Sequence, residues 1–290
     1  MNPGLTILVC TINPNMCIRM LDSLLPFLSE NDETIVLLDG SEYDPTRLLE
    51  NHQKSSPNYV LSISETNVGL SFSRNRGMKL AKNDYVIFFD DDVVLVQNVL
   101  LHYKRLFAEG YNLVGGPLLL PSSYPPLPSW FPEGYSSLFS IHSPKQTKIW
   151  GANFGFDVKK ANKINLEFSY ALGRKGSDLA SGDDTSFIRL YCQTYGEGFF
   201  SPDVAIEHYV DFKRYSLKYL SFRAYWQGRS EVRRNSIFQG LIKELNRAFT
   251  LGHFRPKDFL RVFGGVYLFS CVLYGVFTEL LCVKRSKKVT

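Results

Sequence analysis

The chain has few cysteines, and none of its five (Cys10, Cys17, Cys192, Cys271, Cys282) forms a Cys-x-x-Cys pair. A disulfide framework and a thiolate zinc site are therefore not expected. Cys10 lies in one apolar run and Cys271 and Cys282 in another, where a thiol behaves as a small hydrophobe. The expectation is reduced, structural cysteines in a cytoplasmic protein. The sequence also lacks a GxxxxGK[ST] loop and a GxGxxG turn, so the usual backbone cradles for phosphate are missing. No charged segment precedes the first apolar run, Leu5–Cys10, and no secretion signal is expected. There is no internal repeat. The net charge of +5 is modest and local: Lys284, Arg285, Lys287 and Lys288 crowd the C-terminus, and Arg223, Arg229, Arg233 and Arg234 share one expected helix. Without a concentrated basic face, nucleic acid is not an expected partner.

What is present is apolar and ordered. With 44% hydrophobic and 14% aromatic residues the chain can bury a sizeable core, which excludes a disordered protein. Strand-like runs recur at Leu5–Cys10, Thr34–Leu38, Tyr59–Ile63, Tyr85–Phe89 and Leu113–Leu120. Helical spacing fills Met16–Leu28, Ser73–Ala81 and Val99–Phe107 between them. That alternation predicts an α/β fold with a mostly parallel sheet covered on both faces. Five prolines between Pro121 and Pro132 exclude regular elements there and predict a loop or lid over residues 121–134. Beyond it the pattern predicts strands at Ile149–Phe156 and Val204–Tyr209, a helix starting near Asp183, and an amphipathic region over Ser216–Arg247.

The last feature is Val262–Val283, whose only charge is Glu279. Its 17 uncharged residues from Val262 to Thr278 fall just short of the ~20 that span a bilayer. Two readings stand side by side: a core helix packed on the main domain, or a membrane-associated segment, interfacial or re-entrant. The flanking basic residues favour the second and an anionic membrane surface, at the cytoplasmic face. The expected division is 1–235 for the main domain and 236–290 for a C-terminal helical extension.

In an open α/β sheet, ligands bind outside the carboxyl ends of the strands. The first strand ends at Thr11 and Asn13, the second at Asp39, and the fourth at Asp90-Asp91-Asp92. Carboxylates crowded in this way repel unless a positive charge lies between them. A hard divalent cation, Mn²⁺ or Mg²⁺, supplies it and would in turn hold a diphosphate. One aspartate alone is explained as a helix cap; three after an apolar strand are not. A second acidic pair, Asp183-Asp184, admits both an N-cap role and that of a general base. His208, at the end of an expected strand, admits a structural role or a metal ligand.

The same residues resemble the family 2 glycosyltransferases with a GT-A fold (the nucleotide-diphospho-sugar transferase type, Rossmann-like), over roughly residues 5–235. Thr6–Thr11 with Asn13 is similar to the family's first strand and nucleotide loop. Ile35–Asp39, with Gly40, Ser41 and Asp44, resembles the strand whose aspartate contacts the base. Asn67-Val68-Gly69-Leu70 followed by Ser73-Arg74-Asn75-Arg76-Gly77 is similar to its N-x-G-x-x-x-A-R-N-x-G stretch, and Phe88–Asp92 to its D-x-D site. The resemblance implies a donor site of Thr11, Asn13, Asp39, Asn67, Gly69, Arg74, Asn75, Asp90 and Asp91. It implies Asp92 as metal ligand and strengthens that role for His208. Gly151–Phe154 resembles the acceptor-side strand, bringing Asn153 to the acceptor. Gly182-Asp183-Asp184 resembles a Glu-Asp motif with aspartate in the first place: Asp183 falls on the acceptor side and Asp184 inherits the base role. The spaced Q-x-x-R-W of processive synthases is absent.

The function so implied is inverting, non-processive transfer of one sugar from a nucleotide-sugar, most often a UDP-sugar, to an acceptor hydroxyl. Polysaccharide, glycolipid or other glycan biosynthesis is the expected setting, with a glycan or lipid-linked acceptor. The alternative is an inactive GT-A module that binds nucleotide-sugar or glycan; the complete acidic set argues against it. A nucleotidyltransferase needs a basic signature after the first strand, and Thr11–Met16 has no Lys or Arg.

Overall fold

The computed structural model describes residues 3–40, 44–54, 56, 58–128, 130–131, 141–142, 146–234, 237–248 and 259–286. In chain order the regular elements are β1 (Leu5–Thr11), α1 (Pro14–Leu24), β2 (Glu33–Asp39), α2 (Thr46–Gln53), β3 (Tyr59–Ser64), α3 (Leu70–Leu80), β4 (Tyr85–Asp90) and β5 (Val93–Val94). There follow α4 (Val99–Ala108), β6 (Leu113–Gly115), β7 (Leu118–Leu119), β8 (Asn153–Asp157), α5 (Val158–Lys163), α6 (Asp183–Tyr195), β9 (Phe199–Phe200) and β10 (Ile206–His208). Last among the described residues come three helices: α7 (Leu217–Arg233), α8 (Ile237–Ala248) and α9 (Phe259–Ser286).

The main sheet has the order β3-β2-β1-β4-β8-β6-β9, and its first four strands are parallel. β8 runs antiparallel to both neighbours. After β1 the chain steps one way to β2 and β3, then returns to the other flank of β1 as β4. The switch point, where ligands bind in such sheets, therefore lies between the ends of β1 and β4. A small second sheet, β5-β10-β7, brings His208 opposite Val93.

The strands read as unbroken apolar runs because both faces are covered. Leu5, Ile7 and Val9 of β1 pack with Ile87 and Phe89 of β4 against α1 and α4. Leu8, Val86 and Phe88 point the other way, onto Met78 of α3 and Phe187 and Tyr191 of α6. The expected α/β architecture is the one observed, with differences that have local causes. The run Leu113–Leu120 is two short strands in different sheets, because Pro117 has no N–H to donate and Gly116 lies hard against Val204. The run Val204–Tyr209 begins as a 3-10 turn (Pro202–Val204) and only then becomes β10, and Ile149–Phe156 is a strand only from Asn153. α2 and α5 are short helices that the apolar spacing did not mark. In the expected lid, residues 121–128 and 130–131 contain no helix or strand; residues 129 and 132–134 lie outside the described residues.

The chain divides into two compact units. One comprises Met1–Pro121, Gln146–Gly176 and Asp183–Tyr209, and holds the sheets; the other comprises Ser122–Lys145, Ser177–Gly182 and Val210–Thr290. In the second unit α7 and α9 cross closely. A Cβ on Gly228 would collide with the Val272 carbonyl, and one on Gly275 with that of Tyr225. Leu268, Val272, Val276 and Glu279 form the buried stripe of α9, and Arg229 and Arg233 of α7 both donate to Glu279. The opposite face exposes Phe263, Tyr267, Tyr274, Phe277 and Leu281. Phe263–Val283 is long and apolar enough to cross a membrane.

Candidate active site

The end of β1 sets the first part of the site. The Thr11 hydroxyl accepts from the Asn13 N–H at 2.9 Å and donates to Asp91 Oδ2 at 2.6 Å. Asn13 caps α1, its side chain accepting from Asn15 N at 3.1 Å. At the end of β2, buried Asp39 uses both carboxylate oxygens, accepting from Val68 N at 2.7 Å and Gly69 N at 2.8 Å. Gly69 sits at φ +104°, a conformation that favours glycine, and so the loop can turn both amides onto one carboxylate. Asn67 holds the same loop from outside, accepting from Gly176 N at 3.3 Å.

The end of β4 carries the acidic triplet. Asp92 is buried, with His208 Nε2 2.8 Å from its Oδ1, and its carbonyl accepts from Tyr209 N at 2.7 Å. Pairing of β10 with β5 is what brings residues 116 positions apart into contact. Asp90 is half-exposed, and ligand atoms of Asp90, Asp92 and His208 all lie within 4.8 Å of one another. Ligands ~2.1 Å from an octahedral Mn²⁺ or Mg²⁺ lie at most about 4.2 Å apart. Two carboxylates and an imidazole at this spacing fit such an ion with shifts of a few tenths of an ångström.

Arg74 of α3 joins this cluster to the second acidic pair. It is buried between the Phe88 and Phe168 rings, donates to Asp183 Oδ2 at 2.9 Å, and reaches Asp90 Oδ1 and the Gly151 carbonyl at 3.4 Å. Asp184, half-buried, accepts from Gly151 N at 2.8 Å and from Thr185 N at 2.7 Å. Burial alone would raise the Asp184 carboxyl, but Arg74 and the two amides hold it below the ordinary carboxylate range. Burial wins at Asp183, which is pushed up against the pull of Arg74. Burial also pushes the Cys10 thiol up to about 12, so it stays protonated and is no nucleophile.

Two sequence-selected residues are engaged elsewhere. Asn75 is buried and its amide clasps the Phe168 backbone, accepting at 2.7 Å and donating at 2.9 Å. Asn153 is equally buried, accepting from the Tyr103 hydroxyl at 2.8 Å and donating to the Val204 carbonyl at 2.7 Å. Sequence reasoning did not single out Ser71, which donates to the Ser169 carbonyl at 2.9 Å and lies 3.2 Å from Asp183 Oδ2, nor the ring pair around Arg74. Nor did it give Gly151 its part beside Asp184, where a Cβ would come within 2.7 Å of the Asp184 Cβ. The glycine preceding a strand was its one visible signal.

A parallel sheet with its switch point beside an Asp-x-Asp turn, and a second acidic pair at a helix start, is the architecture of a GT-A glycosyltransferase. Residues 6–149 match the family model described as Glycosyl transferase family 2, and the chain belongs to that family. It is 25% identical over 222 residues to the glucosyl-dolichyl phosphate glucuronosyltransferase of Haloferax volcanii, covering 72% of this chain and 69% of that protein. It is 30% identical over 84 residues to the cholesterol galactosyltransferase of Borreliella burgdorferi, covering 29% of this chain and 24% of that one. Among solved structures, the mannosyltransferase PcManGT from Pyrobaculum calidifontis, in complex with GDP-Man and Mn²⁺, superposes with a TM-score of 0.64 at 15% identity, covering 97% of this chain and 88% of that one. S. aureus TarS 1-349 in complex with UDP gives 0.55 at 15% identity, over 98% and 92%. At such identity the structural likeness establishes the fold.

Proposed function

We propose that the protein is an inverting, non-processive glycosyltransferase that moves one sugar from a nucleotide-sugar to an acceptor hydroxyl. The observation that carries this reading is Asp184: a carboxylate held in its charged form by Arg74 and two amides, in the same sheet-bearing unit as the Asp90, Asp92 and His208 cluster. Asp184 is the general base that takes the proton from the acceptor hydroxyl as it attacks the anomeric carbon. Asp92 and His208, with Asp90 able to join them, are the ligands of Mn²⁺ or Mg²⁺. Such an ion supplies Lewis-acid stabilisation of the departing diphosphate. Thr11, Asn13, Asn67, Gly69, Asp39, Asp90 and Asp91 form the donor floor. Asn75 acts there through Phe168, and Asn153 serves the acceptor side through the strand it anchors, rather than through free amides.

Two of the named relatives, the glucosyl-dolichyl phosphate glucuronosyltransferase and the cholesterol galactosyltransferase, are named for lipid-linked or lipid substrates, and that supports a lipid-linked acceptor for this chain. The exposed apolar face of α9 supports association with a membrane surface. The test is transfer assayed with a panel of UDP-, GDP- and dTDP-sugars in Mn²⁺, for the wild type and Asp184→Asn. Transfer by the wild type and its loss in the variant, with nucleotide binding kept, is the expected result. Undiminished transfer by Asp184→Asn rules out the base assignment.

A further inference from the structure

Segment 168–176 crosses the loop that Asp39 pins. Phe168 is clasped by Asn75, Ser71 Oγ donates to the Ser169 carbonyl at 2.9 Å, Leu70 N donates to the Arg174 carbonyl at 2.9 Å, and Gly176 N donates to Asn67 Oδ1 at 3.3 Å. These bonds fasten the segment, as a strap, along residues 67–75. The approach is close: a Cβ on Gly69 would lie 3.1 Å from the Arg174 carbonyl oxygen and 3.3 Å from Lys175 Cβ. The backbone of Arg174 and Lys175 is thereby placed beside the loop whose Val68 and Gly69 amides Asp39 holds.

The side chains at that point are two adjacent cations, Arg174 half-exposed and Lys175 exposed. Neither has a hydrogen-bond or ion-pair partner among the described residues. Arg74, by contrast, is buried and paired with Asp183 and Asp90. Asp39, Asp90, Asp91, Asp92, Asp183 and Asp184 gather carboxylates around the strand ends with Arg74 as the buried cation among them. A diphosphate brings further negative charge into this setting, more than one divalent ion neutralises. Fixed cations at the rim lower that repulsion, and a guanidinium with a neighbouring ammonium is well suited to phosphate oxygens.

We infer that Arg174 and Lys175 clamp the diphosphate of the nucleotide donor, with the strap as their mount. This inference rests on the glycosyltransferase reading above. Its test is calorimetric titration of the full chain with UDP and GDP in MnCl₂, alongside UMP, uridine and UDP-glucuronate. The variants are Arg174→Ala, Lys175→Ala, the double variant and Lys213→Ala as an exposed control. The double variant is expected to lose roughly 10- to 100-fold in affinity for the nucleoside diphosphate that the wild type prefers. Uridine binding and the melting temperature stay unchanged, Arg174→Lys recovers part of the loss, and the control binds as the wild type does. Unchanged diphosphate affinity in the double variant overturns the inference while leaving the function standing. So does an equal loss for uridine, or a loss seen with UDP-glucuronate alone, which would put the cations on the sugar carboxylate. A wild type that binds neither UDP nor GDP removes the donor reading itself, and the clamp with it.

Discussion

Arg74 and Asp183, 109 residues apart, form a buried ion pair at 2.9 Å between α3 and the first residue of α6. The same guanidinium lies 3.4 Å from Asp90, so one side chain ties the helix that carries Asp184 to the acidic turn after β4. Removing one partner leaves the other charge buried and unpaired, a loss of about 3–5 kcal/mol. Arg74→Ala is therefore expected to destabilise the protein by that order in urea unfolding, and Arg74→Lys by less. A loss below about 1 kcal/mol for Arg74→Ala would show that the pair is hydrated.

The charge state of Asp184 sets the pH dependence. Its folded value is depressed below the unfolded one of about 3.9, so its stabilising contribution is present above that value and is lost as pH falls through the folded value. The proposed base is then charged at neutral pH. With donor saturating and excess Mn²⁺ keeping the ligands loaded, kcat is expected to show no acid limb with a midpoint above about pH 5. A limb near pH 6 that shifts in Asp184→Glu would show the carboxyl raised instead.

His208 and Asp92 face each other at 2.8 Å with little access to water. Asp92→Asn and His208→Ala are each expected to raise the Mn²⁺ concentration giving half-maximal activity by roughly 10- to 100-fold, the scale seen even for outer-shell partners of metal ligands. Ile164, exposed just past α5 and remote in sequence from both residues, serves as the control position. An unaltered Mn²⁺ requirement in both variants removes the pair from the metal site.

On α9, Phe277 and Leu281 are 60% and 45% exposed on the face away from α7, so charging them leaves the α7 contact intact. The double variant Phe277→Glu, Leu281→Glu is expected to lose co-sedimentation with vesicles containing anionic lipid, with its melting temperature nearly unchanged. Wild type that stays in the supernatant at low salt excludes the membrane role for this face.

The acidic groups at strand ends were legible in the sequence because a strand buried on both faces must be apolar, and a polar residue closing such a run stands at the sheet edge. Thr11, Asp39 and the Asp90–Asp92 turn stand out for that reason, and with them the α/β class. The Asp183-Asp184 pair was legible only as two readings, because an aspartate that caps a helix and one that takes a proton look alike in a sequence.

Tertiary structure decided what local periodicity does not carry. The closeness of His208 to Asp92 depends on a three-residue strand, β10, docking on the two-residue β5, elements too short to leave a pattern. The Asn75 and Asn153 amides read as site residues, yet burial obliged them to satisfy backbone and hydroxyl partners inside the protein. The sequence by itself determined which chemical groups close the strands. Which of them share a charge, a proton or an ion was decided by long-range packing, since electrostatic coupling depends on distance and burial rather than on separation along the chain.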